Sequence, residues 1–106
     1  MPKFLVEASY TAEGLKGLQK DKAEGRTNAL KNALRSVDGQ LECIYWCLGE
    51  KDVVLIADLP NIGAAAALAS TASASGLVRT KTTQLLSASE LDAALQKQVD
   101  YRAPGR

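Results

Sequence analysis

Val53-Val54-Leu55-Ile56-Ala57 is the stretch of sequence that decides the fold. A run of this length that is rich in β-branched residues and has no polar residue predicts a central strand, covered on both faces. Residues 40–48 alternate between polar and apolar positions and predict a second strand. Only the short link Gly49-Glu50-Lys51-Asp52 separates the two strands, so we expect them to form a β-hairpin.

The strand predicted at residues 40–48 carries apolar side chains on both of its faces. Alternation predicts that one face points toward the helices and the other away from them. The side chains expected toward the helices are Leu41, Cys43, Tyr45 and Cys47, and those expected on the other face are Gln40, Glu42, Ile44, Trp46 and Leu48. On such a strand the two cysteines stand roughly 13 Å apart, which is too far for a disulfide, so we predict two free thiols.

The chain before this hairpin predicts a strand, a turn and a helix. Residues 3–10 alternate and give a strand with one apolar face. Thr11 is the expected N-cap of a short turn that carries Leu15 and Leu18. A helix is predicted to follow at residues 21–37.

The helix predicted at residues 21–37 has an apolar stripe at the helical period. The stripe consists of Ala23, Thr27, Leu30, Leu34 and Val37. The charged side chains, which we expect on the other faces in contact with solvent, are Lys22, Glu24, Arg26, Lys31 and Arg35. Asp38-Gly39 ends the helix, and we expect the glycine to adopt the left-handed conformation there.

A second helix is predicted after the central strand. Asp58-Leu59-Pro60-Asn61 signals its start, with Pro60 and Asn61 expected near the first turn, and Ser75-Gly76 marks its end after residue 74. Residues 64–67 are all alanine, which is the strongest helix former and has a side chain small enough for the helix to lie close to a sheet.

The C-terminal part predicts an edge strand and a short helix. Residues 77–86 are rich in polar residues and threonine, as suits an exposed edge strand. Ser87 and Glu90 have the spacing of a capping box ahead of a short C-terminal helix. We assign residues 1–97 to one domain and residues 98–106 to a flexible tail.

The predicted elements follow the order β-α-β-β-α-β with a terminal helix, which is a ferredoxin-like α+β fold. Right-handed crossovers give a four-stranded antiparallel sheet of order 4132 with two helices on one face. The face without helices is expected to carry Leu5, Glu7, Ile44, Trp46, Leu48, Arg79 and Lys81. Its apolar part is too large to stay wet in a monomer, so we predict a homodimer, or a higher homo-oligomer, in which two sheets pack face to face.

Composition argues against several classes of function. The 13 basic and 12 acidic residues nearly cancel, so we expect no nucleic-acid partner. No stretch of about 18 apolar residues is present and the N-terminus lacks an apolar signal segment, so we expect a cytoplasmic protein with no membrane partner. The chain has no histidine, the commonest general base and the usual ligand of zinc and haem. We therefore predict no metal and no cofactor.

A family resemblance is carried by six segments, which are residues 1–3, 8–14, 49–54, 56–60, 73–76 and 78–80. Together they resemble the GYD-domain family of small bacterial proteins, and the resemblance covers roughly residues 1–97. Gly49 and Asp52 match the glycine and aspartate of the family's name, whereas Lys51 stands where the tyrosine is expected. The resemblance implies a dimeric α/β barrel made of two ferredoxin-like sheets, and a family whose function is not known.

The candidates for a ligand pocket are Glu7, Tyr10, Trp46, Asp52, Arg79 and Lys81. A carboxylate, an indole and two cations among them are expected inside the barrel, where they can orient a small anionic or aromatic ligand. The same groups can instead form an ion pair that sets the dimer register, with the indole as interface packing. Tyr10 either places its hydroxyl at a pocket mouth or is a core aromatic residue, and Asp52 either belongs to the pocket or bonds the turn backbone.

Three functions are compatible with this sequence. The first is a small-molecule-binding or structural module whose barrel dimer encloses a pocket. The second is a cofactor-free enzyme acting on a small metabolite, with Glu7 as the base, by analogy with monooxygenases and isomerases of the wider superfamily. The third is a scaffold that assembles through the edges of its sheet.

Overall fold

The computed structural model of the protein describes residues 1–106. Its elements in chain order are β1 (Lys3–Tyr10), α1 (Ala12–Arg35), β2 (Gln40–Trp46), β3 (Val53–Asp58), α2 (Ile62–Ala74), β4 (Val78–Leu85) and α3 (Ala88–Leu95). All strand pairs are antiparallel and the strand order is β2-β3-β1-β4. The ferredoxin-like α+β fold, the order 4132 and the C-terminal helix are therefore confirmed. None of the helices is long and apolar enough to cross a membrane.

The central strand β3 has apolar side chains on both faces, as its sequence predicts. Val53, Leu55 and Ala57 are buried toward the helices, with 2%, 6% and 0% of their surface exposed. The side chains between them point to the opposite side of the sheet, which we name the open face. The open face consists of Lys3, Leu5, Glu7, Ser9, Gln40, Glu42, Cys43, Tyr45, Val54, Ile56, Asp58, Arg79, Lys81, Thr83 and Leu85.

A β-bulge between Leu41 and Cys43 reverses the predicted faces of β2. A bulge inserts one extra residue, so every later side chain changes sides relative to simple alternation. Ile44 and Trp46 pair with helix-facing residues of β3 and lie on the helix side. Tyr45 lies on the open face, where it is 69% exposed. The expectations that Ile44 and Trp46 lie on the open face, and that Cys43 and Tyr45 lie toward the helices, were wrong, because strict alternation does not allow for the extra residue.

The hydrophobic core lies between the sheet and the helices α1 and α2. Its buried residues are Phe4, Leu34, Leu55, Ala57, Leu59, Ala64 and Ala65. Phe4 and Leu59 are the largest fully buried side chains. Burying a side chain of this size contributes roughly 1.5–3 kcal/mol, so these two residues stabilise the contact between helices and sheet most strongly.

Helix α1 begins at Ala12, well before the predicted start at residue 21. Thr11 is its N-cap, as predicted, and the side chain accepts a hydrogen bond from the N–H of Gly14. The expected short turn is instead a first helical segment, separated from the rest of α1 by a kink at Lys22. Lys22 has φ 65° and ψ 167°, a conformation that costs of order 1–3 kcal/mol for a residue with a Cβ.

The end of α1 also differs from expectation in one respect. Asp38, and not Gly39, adopts a positive φ of 61°. Gly39 is buried, and a Cβ added there would lie 2.6 Å from Leu59 Cδ2 and 2.7 Å from the carbonyl oxygen of Asp58. Glycine therefore serves close packing at this position, and the left-handed residue is the aspartate before it.

Asn61, which was expected near the first turn of α2, is the N-cap of this helix. The Asn61 side chain accepts a hydrogen bond from the N–H of Ala64 at 2.9 Å, and Gly76 follows α2 with φ 74°. Ser87 and Glu90 form the predicted capping box of α3. α3 itself buries none of its residues.

The first turn of α1 contacts the turn that joins α2 to β4. The N–H of Thr11 donates to the carbonyl oxygen of Leu77 at 3.0 Å, and the Thr11 hydroxyl donates to the carbonyl oxygen of Gly76 at 3.1 Å. Gly14 is buried beside this turn, and a Cβ there would overlap the carbonyl oxygen of Leu77. This junction sets the position of α1 over the sheet.

We expect Gly14→Ala to lower the free energy of unfolding by more than about 2 kcal/mol, because the added methyl group would overlap a hydrogen-bonded carbonyl. Gly17→Ala is the matched control in the same helix, since nothing lies within 4 Å of its added Cβ. The control should be neutral or stabilise the protein by up to about 1 kcal/mol. Urea unfolding followed by circular dichroism measures both variants, and equal stabilities would contradict the packing described at Gly14.

Candidate functional site

An apolar cavity of about 270 Å³ lies between α1, α2 and the helix side of the sheet, and we name it the interhelical cavity. Twelve of its sixteen lining residues are hydrophobic. Alanines supply much of both walls, and their small side chains leave the space open. The wall residues are Ala29, Leu30 and Ala33 from α1 and Leu68, Ala69 and Ala72 from α2, and Val6 and Leu55 belong to the sheet beneath them.

Four polar residues complete the lining of the interhelical cavity. Thr80 and Thr82 belong to β4, and Thr71 belongs to α2. Arg26, from the second segment of α1, is the only charged residue of the lining. The cavity is thus an apolar space with three hydroxyl groups and one cation.

A second cavity, also of about 270 Å³, adjoins the first. Arg26 and Ala72 line both cavities, so the two spaces meet at these residues. The second cavity also contains Tyr10 and Asp21. The kink at Lys22 lies between Asp21 and Arg26, so the two segments of α1 contribute to different parts of the combined space.

Tyr10 and Trp46 stack on each other on the helix side of the sheet. Their ring centroids are 6.3 Å apart and the rings are inclined by 11°. Tyr10 lines the second cavity, whereas Trp46 lines neither cavity. Stacked aromatic rings at this distance contribute about 0.5–1.5 kcal/mol beyond the area that they bury.

The four residues expected inside the barrel do not share one face of the sheet; they are Glu7, Trp46, Arg79 and Lys81. Glu7 lies directly opposite Lys81, and Arg79 lies opposite Ser9, so these charged residues share the open face as expected. No ion pair within 4.0 Å joins Glu7 to either cation. Trp46 is on the other side of the sheet and does not belong with them, because the β-bulge in β2 has turned it toward the helices.

A cluster of charges also lies at the other end of the open face. Lys3 forms ion pairs with Glu42 and, at 2.9 Å, with Asp58. The hydrogen bond from Lys3 lowers the pKa of Asp58 below its usual value, and the hydrogen bonds to Glu42 and Asp58 raise the pKa of Lys3.

The structure brings no three His, Cys, Asp or Glu side chains together in a group that could hold a metal ion.

Asp52 joins the hairpin loop to the end of β1. Its carboxylate accepts a hydrogen bond from the N–H of Tyr10 at 2.7 Å. Its own N–H donates to the carbonyl oxygen of Ala8 at 2.9 Å, and its carbonyl oxygen accepts from the N–H of Cys47 at 2.8 Å. These three bonds satisfy backbone groups at the place where the pairing of β1 with β3 ends, so the contacts of Asp52 are with backbone.

Residues 4–95 match the sequence model of the family described as GYD domain. The chain belongs to the GYD domain family. In this GYD domain the aspartate of the motif bonds the backbone of β1, while Gly49 and Lys51 lie in the same hairpin loop. No curated protein and no solved structure gives a significant match.

Arg26 is the residue of this site that the sequence prediction assigned to solvent. The structure places it half-buried at the junction of the two cavities. A signal for this position was present, because Arg26 stands four residues before Leu30 and so shares a helix face with it. The alanines of the cavity carried no such signal, since their role depends on which helix lies opposite.

We expect Asp52→Ala to lower the free energy of unfolding by about 1–2 kcal/mol, because the N–H of Tyr10 loses a charged acceptor in a partly buried position. Asp52→Asn should lower the free energy of unfolding by less, since its amide oxygen can still accept this hydrogen bond. Glu50→Ala removes an exposed carboxylate from the same loop and is the control. Urea unfolding measures the three variants, and a Glu50→Ala loss equal to that of Asp52→Ala would contradict the assigned role.

Proposed function

We propose that this GYD domain is a small-molecule-binding module that works as a homodimer in the bacterial cytoplasm. The interhelical cavity is the observation that supports binding. Its volume of about 270 Å³ is close to the lower end of the range for sites that bind small molecules. Ligand sites are typically apolar spaces with a few placed polar groups, as this cavity is. The ligand is therefore small and largely apolar.

The dimer is proposed from the chemistry of the open face. Leu5, Val54 and Ile56 form its centre on the two middle strands, and Tyr45 adds an aromatic ring that is 69% exposed. The ion-paired cluster around Lys3 lies at one end of this apolar centre, and Glu7 lies directly beside Val54 at the other end. An apolar centre with a polar rim is the typical anatomy of a protein–protein interface, and two copies packed face to face would form an α/β barrel.

A cofactor-free enzyme of the monooxygenase or isomerase type is the second candidate, and Glu7 favours it. Glu7 is half-buried on the central strand β1, and it has no ion pair although Lys81 lies opposite. In the proposed barrel this carboxylate would be enclosed and available as a general base. Turnover of a substrate that is lost in Glu7→Gln would distinguish the enzyme from a module that only binds.

The binding function is tested with 1-octanol, a small and largely apolar probe. We expect the wild-type protein to bind it, with shifts in the NMR signals of Leu30 and Leu68. Ala69→Leu fills the space and should weaken binding at least about tenfold, whereas Ala67→Leu, on an exposed face of α2, should not. Failure of the wild-type protein to bind 1-octanol, or equal affinities of the two variants, would overturn the proposal.

The dimer is tested by sedimentation velocity at micromolar concentration. We expect a dimer for the wild-type protein and a monomer for Ile56→Glu, since the substitution would bury a charge at the centre of the interface. Ile62→Glu is the matched control, because Ile62 is 65% exposed at the start of α2 and lies outside the open face. A wild-type monomer, or a dimer that persists in Ile56→Glu, would count against the face-to-face arrangement.

A further inference from the structure

We propose that the interhelical cavity binds an amphiphile with one carboxylate, whose apolar body occupies the cavity and whose carboxylate contacts the guanidinium of Arg26. This inference rests on the proposed binding function and names the chemical class of the ligand.

The first argument is the state of Arg26 itself. It is half-buried, it is the only charged residue that lines the interhelical cavity, and it takes part in no ion pair within 4.0 Å. A cation drawn partly out of water without a partner is unfavourable, and an anionic ligand would offset that cost. The planar guanidinium fits a carboxylate with two parallel hydrogen bonds, which a single ammonium group does not provide.

The second argument is the distribution of charge between the two cavities. Asp21 lines the second cavity, where it would repel a carboxylate ligand. The interhelical cavity contains no acidic residue. The apolar body of the ligand therefore belongs in the interhelical cavity, and its carboxylate belongs at Arg26, on the boundary that the two cavities share.

The third argument is the strained kink of α1. Lys22 holds a φ of 65° with a ψ of 167°, and strain of this kind clusters at functional sites. The kink lies about one helical turn before Arg26 and interrupts the helix between the two charged residues that line the cavities. The first segment of α1 thus carries the acidic residue of the second cavity, while the other segment presents Arg26 and Leu30 to the interhelical cavity.

The experiment compares two probes that share an eight-carbon chain, octanoate and 1-octanol, by isothermal titration calorimetry on the full chain. For the wild-type protein we expect octanoate to bind more tightly than 1-octanol. Arg26→Gln should lower the affinity for octanoate at least about tenfold and change the affinity for 1-octanol by less than about twofold. Arg26→Lys keeps the charge but loses the planar guanidinium group. Its affinity for octanoate should therefore lie between those of the wild-type protein and Arg26→Gln.

Arg35→Gln is the matched control, since Arg35 is exposed in the same helix, bonds Asn32 at 3.2 Å and does not line the cavity. It should bind both probes as the wild-type protein does. An Arg26→Gln variant that keeps its octanoate affinity would overturn the carboxylate assignment while binding of 1-octanol upheld the proposed function. If the wild-type protein bound neither probe, both the proposed function and this inference would be wrong.

Discussion

The pairing of β1 with β3 in the middle of the sheet is the interaction on which the rest of the structure depends. Strand β3 turns apolar side chains to both sides of the sheet, and β1 adds Leu5 to the open face, so both sides of the centre need cover. Helices α1 and α2 cover one side with the core around Phe4 and Leu59. The described elements form no third layer on the other side of the sheet. In the proposed dimer, the second copy covers this open face.

The interhelical cavity follows from how the helices are held over this sheet. Close packing of Gly14 against Leu77 at one end of α1, and of Gly39 against Leu59 just past its other end, sets the position of the helix. Alanines then occupy the facing sides of α1 and α2, so the space between the helices stays open.

Local patterns were enough to predict the order of elements, the edge position of β4 and the caps at Thr11 and Ser87, because these features depend on neighbours along the chain. The facing of Trp46 was not predictable in this way, since a bulge forms only when β2 meets its partner strand. The kink at Lys22 has no residue-type signal, because glycine is the usual residue for that conformation. The candidate site was harder still to predict from the sequence, because its walls come from helices that are distant along the chain.

The C-terminal helix α3 has eight residues, and none of them is buried. An isolated helix shorter than about 12–15 residues is marginal in water, and a capping box adds only about 1 kcal/mol. Leu91 and Leu95 are four residues apart and are 47% and 70% exposed, so they give this helix one exposed apolar face. The stability of this helix therefore depends on contacts beyond the helix itself, and the side that carries Leu91 and Leu95 is where such a contact would form.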